Sequence, residues 1–178
     1  TNAGIDQLKY IVECFKAETS TRRAIISMGD AMKDNFDTEG NLKKTLDIPC
    51  TREVHFIKQS NSNKLDVIVK MRSNDIIWGA SAVNIFNYTF MQEYMATILG
   101  LEVGDYYHFA DNFHYYERHK EMVEHLSEVK GVIDEPHIYD KTFRNLTDFD
   151  NLVKELFSEE GKNRSDKDYS YREFSDSF

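Results

Sequence analysis

Two runs, EVHFIKQ starting at Glu53 and KLDVIVKM starting at Lys64, carry alternating or β-branched apolar residues and are separated only by SNSN. Ser and Asn favour turns because their side chains bond the local backbone, so the stretch predicts an antiparallel hairpin. A lone hairpin is marginal in water, so the rest of the chain must cover it.

Covering elements are legible on both sides. In IDQLKYIVECF, Ile5, Leu8, Ile11, Val12 and Phe15 recur at three and four residues and predict a helix, with Cys14 close to its buried stripe. From Ala82 to Leu99, Val83, Phe86, Phe90, Met91, Tyr94 and Ile98 keep the same spacing, and Gly100 supplies a left-handed stop. TSTRRAIISM reads as a loop entering a strand, residues 29–47 as polar and turn-rich, and EVGDYYHFA as an aromatic strand. A helix built on Met122, Val123 and Leu126 is predicted over 117–129, and a short one over 151–157. After Glu159 the chain is mostly charged and polar, and a disordered tail is expected over 159–178.

Composition excludes several function classes. A chain of 178 residues fits one domain, and no uninterrupted apolar run approaches the roughly 20 residues that span a bilayer. The net charge of −9 argues against binding a nucleic-acid backbone, which needs clustered Lys and Arg. A small anion near a few arginines is still admitted, because distant carboxylates are screened beyond about 8 Å. Cys14 and Cys50 are too few for a disulfide framework and lack the C-x-x-C spacing of a zinc site. With an opening TNAGIDQLKY that does not read as a signal peptide, this predicts reduced thiols and a cytoplasmic setting. The histidines form no cluster suggesting a metal.

The chemistry-bearing pieces gain meaning from their order. A Cys ahead of a strand is by itself more often core, and an Arg pair more often a solvated face. Here STRR (20–23) precedes PC (49–50), then RSND (72–75), then Gly79-x-x-x-x-Asn84, then LGLEVGDYYHF (99–109) and HYYERH (114–119). Over residues 19–120 that series resembles the thymidylate synthase family, which includes the pyrimidine-nucleotide hydroxymethylases.

The resemblance implies a thymidylate synthase-like fold of the α+β class, three layers (α/β/α) with a mixed sheet, as a catalytic domain over residues 1–158. It also implies one-carbon transfer from 5,10-methylenetetrahydrofolate, as co-substrate, to C5 of a uracil nucleotide, dUMP becoming dTMP. Cys50 matches the nucleophile that adds to C6 of the pyrimidine. A thiol is mostly protonated at neutral pH, and a nearby guanidinium favours the thiolate. Arg72 is placed to be that neighbour, because hairpin pairing brings the residue after Met71 to the end of the sheet where Cys50 lies.

Arg22, Arg23, Arg72 and Ser73 match the donors for the nucleotide phosphate, a task suited to forked guanidinium groups. The Arg22–Arg23 pair would reach in from a neighbouring subunit, so a homodimer with shared sites, paired through the sheet face, is implied. Asn84 matches the base-reading residue, and His114 and Tyr116 the pair that holds the sugar hydroxyl. Asp75 matches the carboxylate that meets the folate pterin. A carboxamide can donate to the uracil carbonyl and accept from its N–H, whereas a carboxylate only accepts, so Asn84 favours uracil over cytosine.

The chain also departs from the family pattern. Thr51 stands where His is common and Met71 where Gln is usual, and GASAVN holds one residue more than the family form, which predicts a displaced Asn84. The family's amino-terminal part, with its catalytic Glu and a Trp near the folate, has no counterpart, and its closing carboxyl terminus is not recognisable in the polar tail. Trp78 within RSNDIIWG, together with PCT, looks more like the hydroxymethylase branch. Hydroxymethylation of dUMP or dCMP, and nucleotide binding without catalysis, therefore stay open beside methylation.

Overall fold

The computed structural model describes residues 6–45, 48–131 and 143–165, and the chain divides into two units, Thr1–Thr142 and Phe143–Phe178. In the first unit the predicted hairpin is present. Strands β2 (Thr51–Lys58) and β3 (Lys64–Met71) run antiparallel, with Val54 opposite Val69 and Phe56 opposite Val67. Strand β1 (Ile25–Ser27) joins β2 antiparallel, and β5 (Glu102–Ala110) joins β3 parallel, giving a mixed sheet in the order β1-β2-β3-β5.

The parallel pairing requires a crossover, and helix α3 (Asn84–Leu99) lies within it. It ends at Gly100, whose φ of 67° is the left-handed stop expected from the sequence. Helix α1 (Gln7–Ala17) starts where the Asp6 carboxylate accepts from the Lys9 N–H, and it buries Ile11, Val12, Cys14 and Phe15. Both helices pack against the sheet and touch each other, so they share one face. Between them and the strands lies the core of Val54, Phe56, Leu65, Val67, Val69 and Met95, each no more than 1% exposed. At about 1.5–3 kcal/mol per large side chain, this burial is the main force holding α3 to β3 and β5.

The α+β class and mixed sheet are as expected, and of the three layers the described residues of this unit supply the sheet and the layer of α1 and α3. On the sheet's other edges and face, Val103, Tyr107 and Phe109 are exposed. Buried Gln92 of α3 donates to the carbonyls of Leu65 and Asp105, at 2.8 and 3.2 Å. It thereby satisfies backbone groups where the β3–β5 register shifts, between Leu65 and Val67.

Several elements differ from the sequence expectation. The polar 29–47 stretch contains a short helix α2 (Ala31–Asn35), capped by Asp30, and Leu46 and Asp47 lie outside the described residues. Winding expected from Ala82 begins earlier, as a π-helix over Ile76–Val83. The 117–129 helix is a 3₁₀ turn (Glu117–His119) followed by α4 (Lys120–Glu128), and its Met122 and Leu126 are exposed instead of buried. In the second unit, α5 (Leu146–Ser165) is longer than the predicted 151–157 helix and enters the stretch expected to be a tail. Residues 166–178 of that stretch are outside the described residues. No described helix is long and apolar enough to cross a membrane.

Candidate functional site

Cys50 and Arg72 meet at one end of the hairpin. Thr51 lies opposite Met71, and the Arg72 N–H donates to the Cys50 carbonyl at 2.9 Å. The guanidinium then folds over the turn: Nη2 donates to the Ile48 carbonyl at 2.8 Å and Nε to that of Pro49 at 3.3 Å. Its other N–H groups are left for a ligand. Cys50 is exposed, with Sγ 3.9 Å from the Ile48 carbonyl oxygen. Next to it, the Thr51 hydroxyl shares a 2.6 Å hydrogen bond with the Tyr88 hydroxyl of α3. Burial raises the Tyr88 pKa, a rise that the Thr51 bond opposes and the nearby Cys50 charge reinforces, so the phenol keeps its proton.

Ser73, His114 and Tyr116 gather beside this turn. A two-residue strand β4 (Asn74–Asp75) pairs in parallel with β6 (Phe113–His114), setting Asp75 opposite His114. Ser73 Oγ lies 3.4 Å from His114 Nδ1 and accepts from Asn112 Nδ2 at 3.2 Å. The His114 and Tyr116 rings meet edge to face at 5.3 Å, and the Arg118 guanidinium lies 4.7 Å from the Tyr116 ring centre. Arg118 is thus a further cation near the His-x-Tyr pair, one to which the sequence reading gave no role.

Asp75 has a structural task. Its carboxylate accepts from the N–H groups of Ile77, Trp78 and Gly79, at 3.0–3.3 Å, and so caps the π-helix. Each oxygen already takes two contacts, which leaves little acceptor capacity for a pterin ring. The winding that follows is the wider π form, in the stretch that holds the extra residue before Asn84. A π-turn accommodates one more residue than an α-turn, and such bulges recur at functional sites. Asn84 consequently faces the sheet, its Nδ2 2.9 Å from Asn74 Oδ1 and 3.9 Å from Met71 Sδ.

Behind Asn84 stands a polar chain that the sequence reading missed. Asn74 is 4% exposed, and its Nδ2 donates to His108 Nε2 at 2.8 Å. An amide nitrogen can only donate, so Nε2 is the bare nitrogen and Nδ1 carries the proton. That Nδ1–H donates to the Tyr106 hydroxyl at 2.8 Å. Burial lowers the His108 pKa, which keeps the ring neutral, and burial with the neighbouring Tyr88 raises that of Tyr106. Gly79 makes room for the chain, since a Cβ there would fall 1.8 Å from Asn74 Oδ1. The available signal was Tyr106 and His108 at alternate positions of one strand, which face the same way.

Arg22 and Arg23 are not brought to this place. Both are exposed and precede β1, whose Ile25 faces His55 and whose Ser27 faces Glu53. Continuing that register puts Arg23 near Ile57, roughly 20 Å along β2 from Cys50 at about 3.3 Å per residue. Within one chain the pair and the thiol belong to opposite ends of the sheet. Among the described residues no group of three or more His, Cys, Asp or Glu could hold a metal ion.

Comparison with known proteins identifies the family. The sequence profile of the family described as Thymidylate synthase matches residues 1–157. The chain belongs to the thymidylate synthase family. A deoxyuridylate hydroxymethyltransferase of Bacillus phage SP01 is 35% identical over 130 residues, covering 72% of this chain and 32% of the phage protein. The thymidylate synthase of Streptococcus mutans serotype c is 28% identical over 155 residues, covering 85% of this chain and 52% of that one. The solved thermostable thymidylate synthase A from Bacillus subtilis superposes with a TM-score of 0.66 at 24% identity, over 81% of this chain and 48% of its own, which shows the shared fold. The chain thus spans about a third of the length of the phage protein and about half that of the bacterial synthases compared here.

Proposed function

We propose that the chain carries the thiol and nucleotide-binding part of a family enzyme that transfers a one-carbon unit from 5,10-methylenetetrahydrofolate to C5 of dUMP. The observation that carries this reading is the exposed Cys50 beside Arg72, on a hairpin end whose neighbours include Ser73, His114 and Asn84. Arg72 braces the turn that carries Cys50 through the carbonyls of Ile48 and Pro49, with its positive charge at the same end of the hairpin as the thiol. The Cys50 sulfur adds to C6 of the uracil, and the electron pair of the C5–C6 double bond becomes available at C5 for attack on the one-carbon unit. Loss of the C5 proton expels the tetrahydrofolate nitrogen from the transferred carbon and leaves an exocyclic methylene. Hydride from that tetrahydrofolate, which becomes dihydrofolate, then gives a methyl group, or water gives a hydroxymethyl group, as the sulfur leaves C6 and the C5–C6 double bond is restored.

Arg72 and Ser73 hold the phosphate, and His114 with Tyr116 holds the sugar hydroxyl. The distance of Arg22 and Arg23 from Cys50 in one chain suits donation from a second copy, so the working unit is a homodimer. Asp75 acts first as a helix cap in this reading, and any pterin contact shares its oxygens. Methylation to dTMP is the ending the sequence reading favours. A second ending, hydroxymethylation by water, is favoured by the phage relatives, whose names state that activity and whose identity to this chain reaches 37%.

Release of tritium from C5-labelled dUMP in the presence of the folate tests the shared chemistry, with product mass separating methyl from hydroxymethyl. Cys50→Ser is expected to cut release by at least about a thousandfold while leaving dUMP binding within about threefold. Normal turnover by that variant would overturn the role given to Cys50, and dUMP binding without any label release by the unaltered protein would leave a binder instead of an enzyme.

A further inference from the structure

We propose that Asn74 and His108 form a positioning pair that fixes the Asn84 carboxamide with its nitrogen turned inward, so that Asn84 presents an acceptor oxygen to N3–H of the base. This rests on the reading of Asn84 as the base-contacting residue. The chain of hydrogen bonds runs in one direction. Asn74 turns Nδ2 toward His108 Nε2 and Oδ1 toward Asn84. Asn84 must then offer Nδ2 to Asn74, and its remaining Nδ2 proton faces only the weak acceptor Met71 Sδ.

Reversing one link alone would place two donors or two lone pairs face to face in a part-buried site, around the buried Asn74. The tyrosine end closes the chain: His108 Nδ1–H donates to the Tyr106 oxygen, so the imidazole proton has a partner on that side. Gly79 completes the lock, because any larger residue would displace Asn74 Oδ1. Of the two base contacts expected of a carboxamide, this orientation keeps the accepting one: the outward Asn84 oxygen accepts from the N3–H of uracil but meets the lone pair of cytosine N3. Base choice therefore belongs to the chain of four side chains, Asn84, Asn74, His108 and Tyr106, with Asn84 as its outermost member.

The test uses the full chain and titrates dUMP and dCMP separately by calorimetry. Unaltered protein is expected to prefer dUMP. Asn74→Leu removes the inward acceptor, and the dUMP-to-dCMP affinity ratio is expected to fall about tenfold. Asn74→Asp keeps an oxygen for Asn84 and is expected to retain the ratio, with the His108 proton moving from Nδ1 to Nε2, a change read directly in ring-nitrogen NMR shifts. His108→Phe leaves Asn74 unanchored and tests the same lock should the leucine variant not fold, again with the ratio falling.

An unchanged ratio in Asn74→Leu or His108→Phe, with preference for dUMP intact in the unaltered protein, overturns the positioning pair and leaves the proposed function standing. Failure of the unaltered protein to bind either nucleotide overturns both. A ratio lost equally in Asn74→Asp and Asn74→Leu also overturns the pair, since general damage and not polarity would then be the cause.

Discussion

On one side of the candidate site Cys50 is exposed and Arg72 is fastened only by backbone carbonyls. On the other side Asn74 is 4% exposed, and both polar atoms of its carboxamide are bonded to neighbouring side chains. The rim owes its position to strand register and to the two carbonyl bonds of Arg72, which has no side-chain partner among the described residues. The wall is set before any ligand is present, and its bonds specify which atoms it offers. A nucleophile must move into bonding distance, whereas a reader of base identity gains from being unable to move.

Breaking the wall should have the largest effect. Gly79→Ala puts a methyl group 1.8 Å from Asn74 Oδ1 and 2.8 Å from its Cγ, so Asn74 must leave its place. We predict a stability loss of about 1–3 kcal/mol by denaturant titration, typical of overpacking. Reactivity of Cys50 toward a thiol reagent under native conditions should be unaltered. A Gly79→Ala protein as stable as the original would mean that the wall is not close-packed.

Much of this contrast could be read in the sequence on the rim and very little on the wall. The approach of Cys50 to Arg72 follows from the antiparallel pairing around SNSN, because a hairpin's register fixes which residues meet at its open end. The α3 helix and its Gly100 stop were visible for similar local reasons. IIWGASAV, by contrast, mixes large apolar residues with Gly, Ala and Ser and carries no period that distinguishes π-winding from a loose α-turn. The Asn74–His108 bond joins residues 34 apart and depends on β5 lying parallel to β3, a pairing with no local signature. The sequence reading accordingly gave His108 no role in the site. The second unit shows the same limit: the apolar spacing marked only the middle of α5, since its polar last turns have no stripe.

Breaking only the rim gives a smaller effect of a different kind. Arg72→Lys keeps the charge but loses the fork that spans the carbonyls of Ile48 and Pro49. We predict about a tenfold loss of affinity for dUMP and for dCMP alike, because a point charge replaces directional donors to phosphate. Parallel titrations with the two nucleotides check this. Loss confined to one of them would place Arg72 in base recognition and erase the division between rim and wall.

The smallest expected effect comes from acid. Burial lowers the pKa of His108, and burial likewise lowers that of His55 despite the opposing Glu53 charge. A histidine depressed in the folded state binds fewer protons there than in the unfolded chain, so its stabilising share is complete above the unfolded value of about 6.5. It is lost as pH falls from there toward the lowered folded value. Protonation of His108 would also point a second N–H at Asn74 Nδ2, donor against donor, whereas His55 touches no part of this chain of bonds. We therefore predict that the melting temperature drops on acidification below about pH 6.5 and that His108→Gln drops less steeply, keeping only the share due to His55. Equal slopes in the two proteins would show that the wall does not feel the proton, and the neutral ring would lose its place as the origin of the wall's polarity.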